Sequence, residues 1–188
     1  MNVEIDIKSC MKCLEEGGII LYPTDTVWGL GCDATNPSAV KRLCELKQKT
    51  NPHGLIVLVA SDRDLLKYVA APDPEVFDLL ESLNFPTSII YESGIGLAEN
   101  VLGEDGTVAI RVVKDEFCKH LVKRFGKPIV STSANFSGHS TPSTFSEIDP
   151  KLIKKVDYVV ESFRNRPSSK PSVLLKWKTG STPIVLRP

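Results

Sequence analysis

Apolar residues along the chain follow two patterns, one typical of helices and one typical of buried strands. Helical spacing of apolar residues predicts an opening helix over residues 6–16, which the glycine pair Gly17 and Gly18 ends. The continuous apolar run at 19–22, closed by Pro23, predicts a strand that is buried on both faces. The chain is therefore expected to begin with a helix, a strand and a turn.

The same alternation continues along most of the chain. Helices are predicted at 37–49, 61–69, 74–83 and 115–125, and strands at 54–60, 87–91, 108–113 and 129–130. In the short helix after Ser61, Leu65 and Leu66 are expected to face the core. Residues 173–177 and 183–186 depart from the alternation and predict an antiparallel hairpin. These elements predict an α/β (mixed α+β) fold, with a mixed parallel and antiparallel sheet.

The composition is that of an ordinary globular protein. Of the 188 residues, 24% are charged and 41% are hydrophobic, so disordered, collagen-like and coiled-coil architectures are disfavoured. We expect a single domain over residues 1–188, because chains of this length rarely divide. Lysine and arginine number 23, as do aspartate and glutamate, so binding of a nucleic acid would require a local basic patch.

Two further properties favour a cytoplasmic protein. The apolar runs are much shorter than the ~20 residues of a membrane-spanning helix, and the first six residues do not resemble a signal peptide. No membrane partner is therefore expected.

The five cysteines are expected to be reduced thiols, with Cys10 and Cys13 facing the core. No metal site is predicted, because His53, His120 and His139 are scattered.

One cluster of polar residues follows the first predicted strand. In Tyr22-Pro-Thr-Asp-Thr-Val-Trp-Gly-Leu-Gly31, hydroxyls, a carboxylate and two glycines come directly after apolar residues. The carboxyl ends of strands are the usual ligand-binding edge of an open α/β sheet, and glycines let a ligand approach the backbone closely. An ordinary turn is the alternative interpretation, because the glycines do not complete a dinucleotide-binding fingerprint.

Other polar residues supply cations and hydrogen-bond donors. Lys47 and Lys49 end the second predicted helix, where they either point into solvent or clamp the phosphates of a triphosphate. Ser131-Thr-Ser-Ala-Asn-Phe-Ser-Gly138 is dense in donors for an anion, a base or a ribose, with a capping loop as the alternative. Arg111 interrupts an apolar strand, so it requires either a structural carboxylate or an acidic ligand.

In combination, these clusters and the terminal Val185-Leu-Arg187 resemble the YrdC-like threonylcarbamoyl-AMP synthases over residues 10–188. The resemblance implies a YrdC-like twisted sheet flanked by helices around a concave, positively charged cavity. It also implies a nucleotidyltransferase that makes threonylcarbamoyl-adenylate and pyrophosphate from L-threonine, bicarbonate and ATP, with Mg²⁺ accompanying the triphosphate. The product would serve threonylcarbamoyladenosine modification of tRNA, through a threonylcarbamoyl-transferase partner.

The roles of the family's residues transfer by resemblance onto this sequence. Threonine would be bound by Thr26, Arg111 and Ser172. The catalytic cations would be Lys47 and Lys49, and ATP would be bound by Ser133, Asn135, Thr141, Arg187 and His53. The reaction needs no covalent protein nucleophile, because a carbamate formed from threonine would attack the α-phosphate directly. Positioning and charge stabilisation dominate such phosphoryl transfers.

Two segments depart from the family pattern. Lys47-Gln-Lys49 stands where the family usually has Lys-x-Arg, and lysine provides a point charge instead of a bidentate fork. Leu83-Asn-Phe-Pro-Thr87 stands where the family has Pro-Gly-Pro-x-Thr. The alternative function comes from a different class: a diverged, non-catalytic paralogue that binds double-stranded RNA or tRNA through the same cavity.

Overall fold

The structure is a computed structural model that describes residues 2–48, 55–167, 169–178 and 180–188. Its helices are α1 (Val3–Glu15), α2 (Pro37–Leu46), α3 (Leu65–Tyr68), α4 (Glu75–Ser82), α5 (Glu116–Phe125) and α6 (Pro150–Ile153). Its strands are β1 (Ile20–Tyr22), β2 (Gly29–Asp33), β3 (Ile56–Val59), β4 (Thr87–Tyr91), β5 (Val108–Val112), β6 (Ile129–Ser133), β7 (Tyr158–Val159), β8 (Val173–Lys176) and β9 (Ile184–Arg187). Short 3-10 turns occur at Asp62–Asp64, Glu99–Val101 and Phe145–Glu147.

These strands form one sheet in the order β7-β1-β2-β6-β3-β5-β4-β8-β9. The pairs β1 with β7, β3 with β5, and β4 with β8 are parallel, and the remaining neighbours are antiparallel. The prediction of a mixed sheet with helices is therefore confirmed, as is the antiparallel hairpin of β8 and β9. Because the sheet brings together strands that are distant in the chain, residues of several sequence clusters meet at its strand ends.

The helix boundaries follow from capping side chains. The Asn36 side chain accepts hydrogen bonds from two backbone amides of the first turn of α2, and Pro37 occupies its first position. Asp115 caps α5 in the same way, and Gly126 ends it with a φ of 74°, in the left-handed region that glycine adopts most readily. The last residue of α2 is Leu46, so the helix ends earlier than the predicted residue 49.

Three local predictions are wrong. The cluster interpreted as a turn contains β2, which the glycines conceal because glycine disfavours strands. Gly31 is required there by packing, since a Cβ at this position would lie 2.8 Å from Cε1 of Tyr22. β6 continues to Ser133, although its polar residues predict a loop. Leu66 is 62% exposed, and only Leu65 of that pair faces the core.

The core is continuous and includes much of the sheet. Cys10 and Cys13 of α1 are buried in it, as their helical spacing predicts. Tyr22 of β1 and Leu58 of the central strand β3 are fully buried. Among the described residues, no helix is both long and apolar enough to cross a bilayer.

Candidate functional site

A cleft with about 570 Å³ of empty space opens at one edge of the sheet. There the carboxyl ends of β1 and β6 meet the amino ends of β2 and β3. The described residues that line the cleft are Thr24, Thr26, Val27, Gly29, Ile56, Arg111, Ser131, Thr132, Ser133, Thr141, Pro171, Ser172 and Arg187. Six residues assigned to ligands from the sequence are therefore in one cavity: Thr26, Arg111, Ser133, Thr141, Ser172 and Arg187.

Hydrogen bonds between neighbouring threonines fix the direction of the Thr26 hydroxyl. Thr24 Oγ1 donates to the backbone oxygen of Val27 (2.7 Å) and accepts from the Thr26 amide (3.1 Å). Because its single proton is used, Thr24 Oγ1 must accept from Thr26 Oγ1, at 2.9 Å. Thr26 Oγ1 itself accepts from Nη1 of Arg111 at 3.3 Å. The Thr26 hydroxyl therefore serves the cleft as an acceptor.

Arg111 is buried in the wall of the cleft, with 4% of its side chain exposed. Its Nη2 atom lies 3.2 Å from Oδ1 of Asp25, which forms an ion pair with it. Of the two partners that the sequence left open for Arg111, a structural carboxylate is therefore present. The guanidinium also lines the cavity, so it remains accessible to an acidic ligand. Sequence analysis gave Asp25 no role of its own, although this carboxylate lies within the first cluster.

Arg187 lines the same cleft. Its Nε and Nη2 atoms donate to the backbone oxygen of Ser172 at 3.0 and 2.8 Å, which connects β9 to the residues before β8. Burial lowers the pKa of Arg187, and the positive charge of Arg111 lowers it further. None of the described lining residues carries a negative charge. An anion in the cleft would therefore relieve repulsion between the two guanidinium groups.

Lys47 follows α2 and is buried, with 3% of the residue exposed. Its ammonium group donates to the backbone oxygen of Ser133 at 2.5 Å, and its Nζ lies 3.4 Å from Ser133 Oγ. The backbone oxygen of Lys47 also accepts from the Ser137 amide at 2.9 Å. The interpretation of Lys47 as a solvent-exposed helix-end cation is therefore wrong. Lys49 and His53 lie outside the described residues.

Asn135 is two residues beyond β6 but does not line the cleft. Its amide group donates to the backbone oxygens of Phe136 (3.0 Å) and His139 (2.7 Å). Its Oδ1 atom is buried and has no donor among the described residues. The side chain is therefore bound to its own loop, with one acceptor still to be satisfied.

The departure at Leu83-Asn-Phe-Pro-Thr87 lies outside this cleft. Leu83 and Thr87 line a different cavity. The Lys114 ammonium group donates to the backbone oxygen of Leu83, and Thr87 Oγ1 donates to that of Phe85 at 3.1 Å. The turn therefore does not itself line the cleft, although the backbone oxygen of Pro86 accepts from the amide of Val173, the residue after Ser172, at 3.0 Å.

The fold and the cleft define a class of protein. Two arginines and several hydroxyls of a mixed sheet line one cavity, and a buried lysine contacts its wall. This arrangement is typical of an α/β protein that binds an anion. The family model Sua5/YciO/YrdC, described as telomere recombination, matches residues 12–188. The chain belongs to this family.

Individual relatives agree with this assignment. The chain is 35% identical to the threonylcarbamoyl-AMP synthase of Pseudoalteromonas translucida, over 86% of this chain and 88% of the relative. Among solved structures, E. coli YciO matches at 26% identity with a TM-score of 0.83, over 99% of this chain and 89% of that chain. A substituted P. abyssi Sua5 matches at 26% identity with a TM-score of 0.87, over 97% and 53% of the two chains.

A second P. abyssi Sua5 structure is a complex with L-threonine. It is 23% identical with a TM-score of 0.85 and covers 100% of this chain and 55% of that one, so it shows the same fold. The chain therefore spans about half the length of the P. abyssi protein but most of the length of the bacterial synthase it resembles.

Proposed function

We propose that the protein is a threonylcarbamoyl-AMP synthase, a nucleotidyltransferase that forms threonylcarbamoyl-adenylate and pyrophosphate from L-threonine, bicarbonate and ATP. One observation carries the proposal: two arginines line a single cleft, and the Lys47 ammonium group contacts Ser133 at its wall. The name of the Pseudoalteromonas relative, which this chain matches over nearly its whole length, supports the same reaction. The product would supply a transferase that modifies tRNA.

The threonine end of the cleft contains Thr26, Arg111 and Ser172. The Arg111 guanidinium presents a planar fork, which suits the substrate's carboxylate. Because the Thr26 hydroxyl is an acceptor, it suits an N–H group of the threonine amine or of the carbamate made from it. Ser172, held by Arg187, closes this end.

We assign ATP to a nucleotide end of the cleft, where Ser133, Thr141 and Arg187 line the wall and Lys47 contacts Ser133. The other residues assigned to ATP are Asn135, which follows β6, and Lys49 and His53, which lie outside the described residues. The cations neutralise phosphate oxygens, and Oδ1 of Asn135 accepts from a base amine or a ribose hydroxyl that supplies its missing donor. Mg²⁺ would accompany the triphosphate, whose oxygens are the ligands that this cation prefers.

The chemistry follows from positioning and charge. The threonine amine and bicarbonate give a carbamate with loss of water. An oxygen of this carbamate attacks the α-phosphorus, and the bond from that phosphorus to the bridging oxygen of pyrophosphate breaks. Lys47 and Arg187 stabilise the negative charge that accumulates on the departing pyrophosphate. Correct orientation of the two reactants alone is worth up to about 7–11 kcal/mol of the barrier.

Pyrophosphate release tests the proposal. It should require threonine, bicarbonate and ATP together, and the Lys47→Ala variant should lose it while keeping the wild-type circular dichroism spectrum. Lys41→Ala is the matched control, because Lys41 lies on α2, the helix that Lys47 follows, with 75% of its side chain exposed. Salt-sensitive RNA binding without pyrophosphate release would instead support the non-catalytic alternative.

A further inference from the structure

Asp25 lies behind the candidate threonine site and has no assigned role. Its neighbours Thr24 and Thr26 line the cleft, but Asp25 does not. Only 11% of its side chain is exposed, and both carboxylate oxygens are buried without a hydrogen-bond donor among the described residues. Burial of a carboxylate in this way is costly, so a buried group with no donor requires an explanation.

The explanation is the guanidinium of Arg111. Nη2 of Arg111 lies 3.2 Å from Asp25 Oδ1, and Nη1 donates to Thr26 Oγ1 at 3.3 Å. The Nε atom is buried and has no acceptor among the described residues. Two consecutive residues of one turn, Asp25 and Thr26, therefore contact both terminal nitrogens of a side chain that is 86 positions away from Asp25 in the sequence.

We propose that Asp25 is a positioning residue, which orients the Arg111 guanidinium so that its fork receives the carboxylate of the amino-acid substrate. A bidentate pair forms only when the planes of both groups are aligned, and an arginine in an open cleft would otherwise sample several rotamers. Asp25 also offsets the charge of Arg111, which otherwise repels the positive charge of Arg187 in the same cleft. The inference rests on the proposed function, because it presumes a threonine ligand.

A purely structural role for the Asp25–Arg111 ion pair and a positioning role for Asp25 predict different effects on the affinity for threonine. If Asp25 only stabilises the fold, its loss lowers stability and leaves the affinity for threonine as it was. If it only competes with the ligand for Arg111, its loss strengthens threonine binding, because the arginine charge is then uncompensated. Positioning predicts weaker threonine binding in spite of that extra charge.

The test is the Asp25→Asn variant, which keeps the shape of the side chain and removes its charge. Calorimetric titrations of threonine and of ATP are made separately on the wild type and the variant. We expect threonine affinity to fall on the order of 10–100-fold, the loss typical of a misplaced binding group, and ATP affinity to change less than about twofold. Pyrophosphate assays should show the same division, with a raised KM for threonine.

Asp33→Asn is the matched control. Asp33 is another buried carboxylate in an ion pair, 2.8 Å from Lys127, and it lies outside the cleft. It should lower stability without altering threonine affinity. Unchanged or tighter threonine binding by Asp25→Asn would overturn the inference, as would an equal loss of threonine and ATP affinity. A wild-type protein that neither binds threonine nor releases pyrophosphate would instead overturn the proposed function, before any variant is compared.

Discussion

The two ends of the cleft are built differently. At the threonine end, Arg111 is held by Asp25 and Thr26, so the functional side chains bind one another. At the nucleotide end, Lys47 binds the backbone oxygen of Ser133 at the end of β6, and Asn135 binds backbone oxygens of the loop that follows. The first end is therefore preorganised by contacts between side chains, whereas backbone oxygens hold the side chains of the second end, where Asn135 Oδ1 still has no described donor.

Because of this difference, the stability of the fold and the binding of substrate depend on the same contacts only at the threonine end. A preorganised ion pair stabilises the fold and the binding site at once, so its loss should affect both. A side chain that hydrogen-bonds an exposed loop contributes little to the fold, because such bonds have a small net worth. Substitutions at the two ends should therefore separate the free energy of unfolding from catalysis.

The largest effect is expected for Arg111→Met. This change leaves the Asp25 carboxylate buried without a cation, which should lower the free energy of unfolding by about 3–5 kcal/mol. Threonine-dependent pyrophosphate release should also be lost. Urea denaturation and the pyrophosphate assay measure the two quantities.

Arg111→Lys sharpens the same comparison. It keeps a positive charge near Asp25 but lacks the planar fork, so most of the stability should return while threonine binding stays weak. Full activity in the lysine variant would contradict the assignment of a bidentate carboxylate contact to Arg111.

A smaller effect on stability is expected for Asn135→Ala at the nucleotide end. The variant loses two hydrogen bonds to backbone oxygens, worth about 1–2 kcal/mol together, but adenylate formation should be abolished. Asn100→Ala is the control, because Asn100 also donates to a backbone oxygen, that of Pro37, and has a buried Oδ1 without a described donor. If both variants lose activity equally, Asn135 has no special role with the nucleotide.

Local signals in the sequence predict the helices and most strands, but not the assembly of the cleft. The strand at Thr87–Tyr91 and the caps of α5 are specified by adjacent residues, so periodicity and capping rules find them. β2 is not predicted from the sequence, because Gly29 and Gly31 disfavour a strand in local propensity. Both glycines are needed because atoms of neighbouring strands lie close to them. Packing between distant strands decides such positions.

The same limit applies to the site. An arginine inside an apolar strand predicts a carboxylate partner, but the sequence offers many carboxylates, and only the sheet order selects Asp25 for Arg111. The end of a helix likewise predicts an exposed lysine, whereas contact with β6 buries Lys47. Composition and spacing therefore indicate which residues have side chains suited to binding or catalysis. Pairing between distant strands decides which of these side chains lie close together.

The smallest effect on stability is expected for a substitution of Asp6. This residue hydrogen-bonds residues 158–162, which precede Ser169, and the Ser169 amide donates to the backbone oxygen of Thr26. Asp6 is buried on α1 and accepts hydrogen bonds from Tyr158 Oη (2.6 Å) and from the amides of Glu161 (3.0 Å) and Ser162 (2.9 Å). Burial raises the pKa of Asp6, but hydrogen bonds from Ser162, Tyr158 and the backbone outweigh it, so the pKa is lowered overall. The charged carboxylate of Asp6 is therefore more favourable in the folded protein than in the unfolded chain.

The sign of the pH dependence follows. A carboxyl group with a lowered pKa in the folded state stabilises the protein above its unfolded pKa, near 3.8, and this contribution is lost as the pH falls through the folded value. Asp6→Asn should therefore be less stable than the wild type by about 1 kcal/mol at neutral pH, and the difference should shrink as the pH falls through the lowered pKa of folded Asp6. Urea denaturation from pH 3 to pH 7 measures it. The threonine KM should rise less than about threefold, because the Ser169 amide still binds the backbone oxygen of Thr26 at 2.6 Å. A larger rise would mean that the preorganised end depends on a contact far outside the cleft.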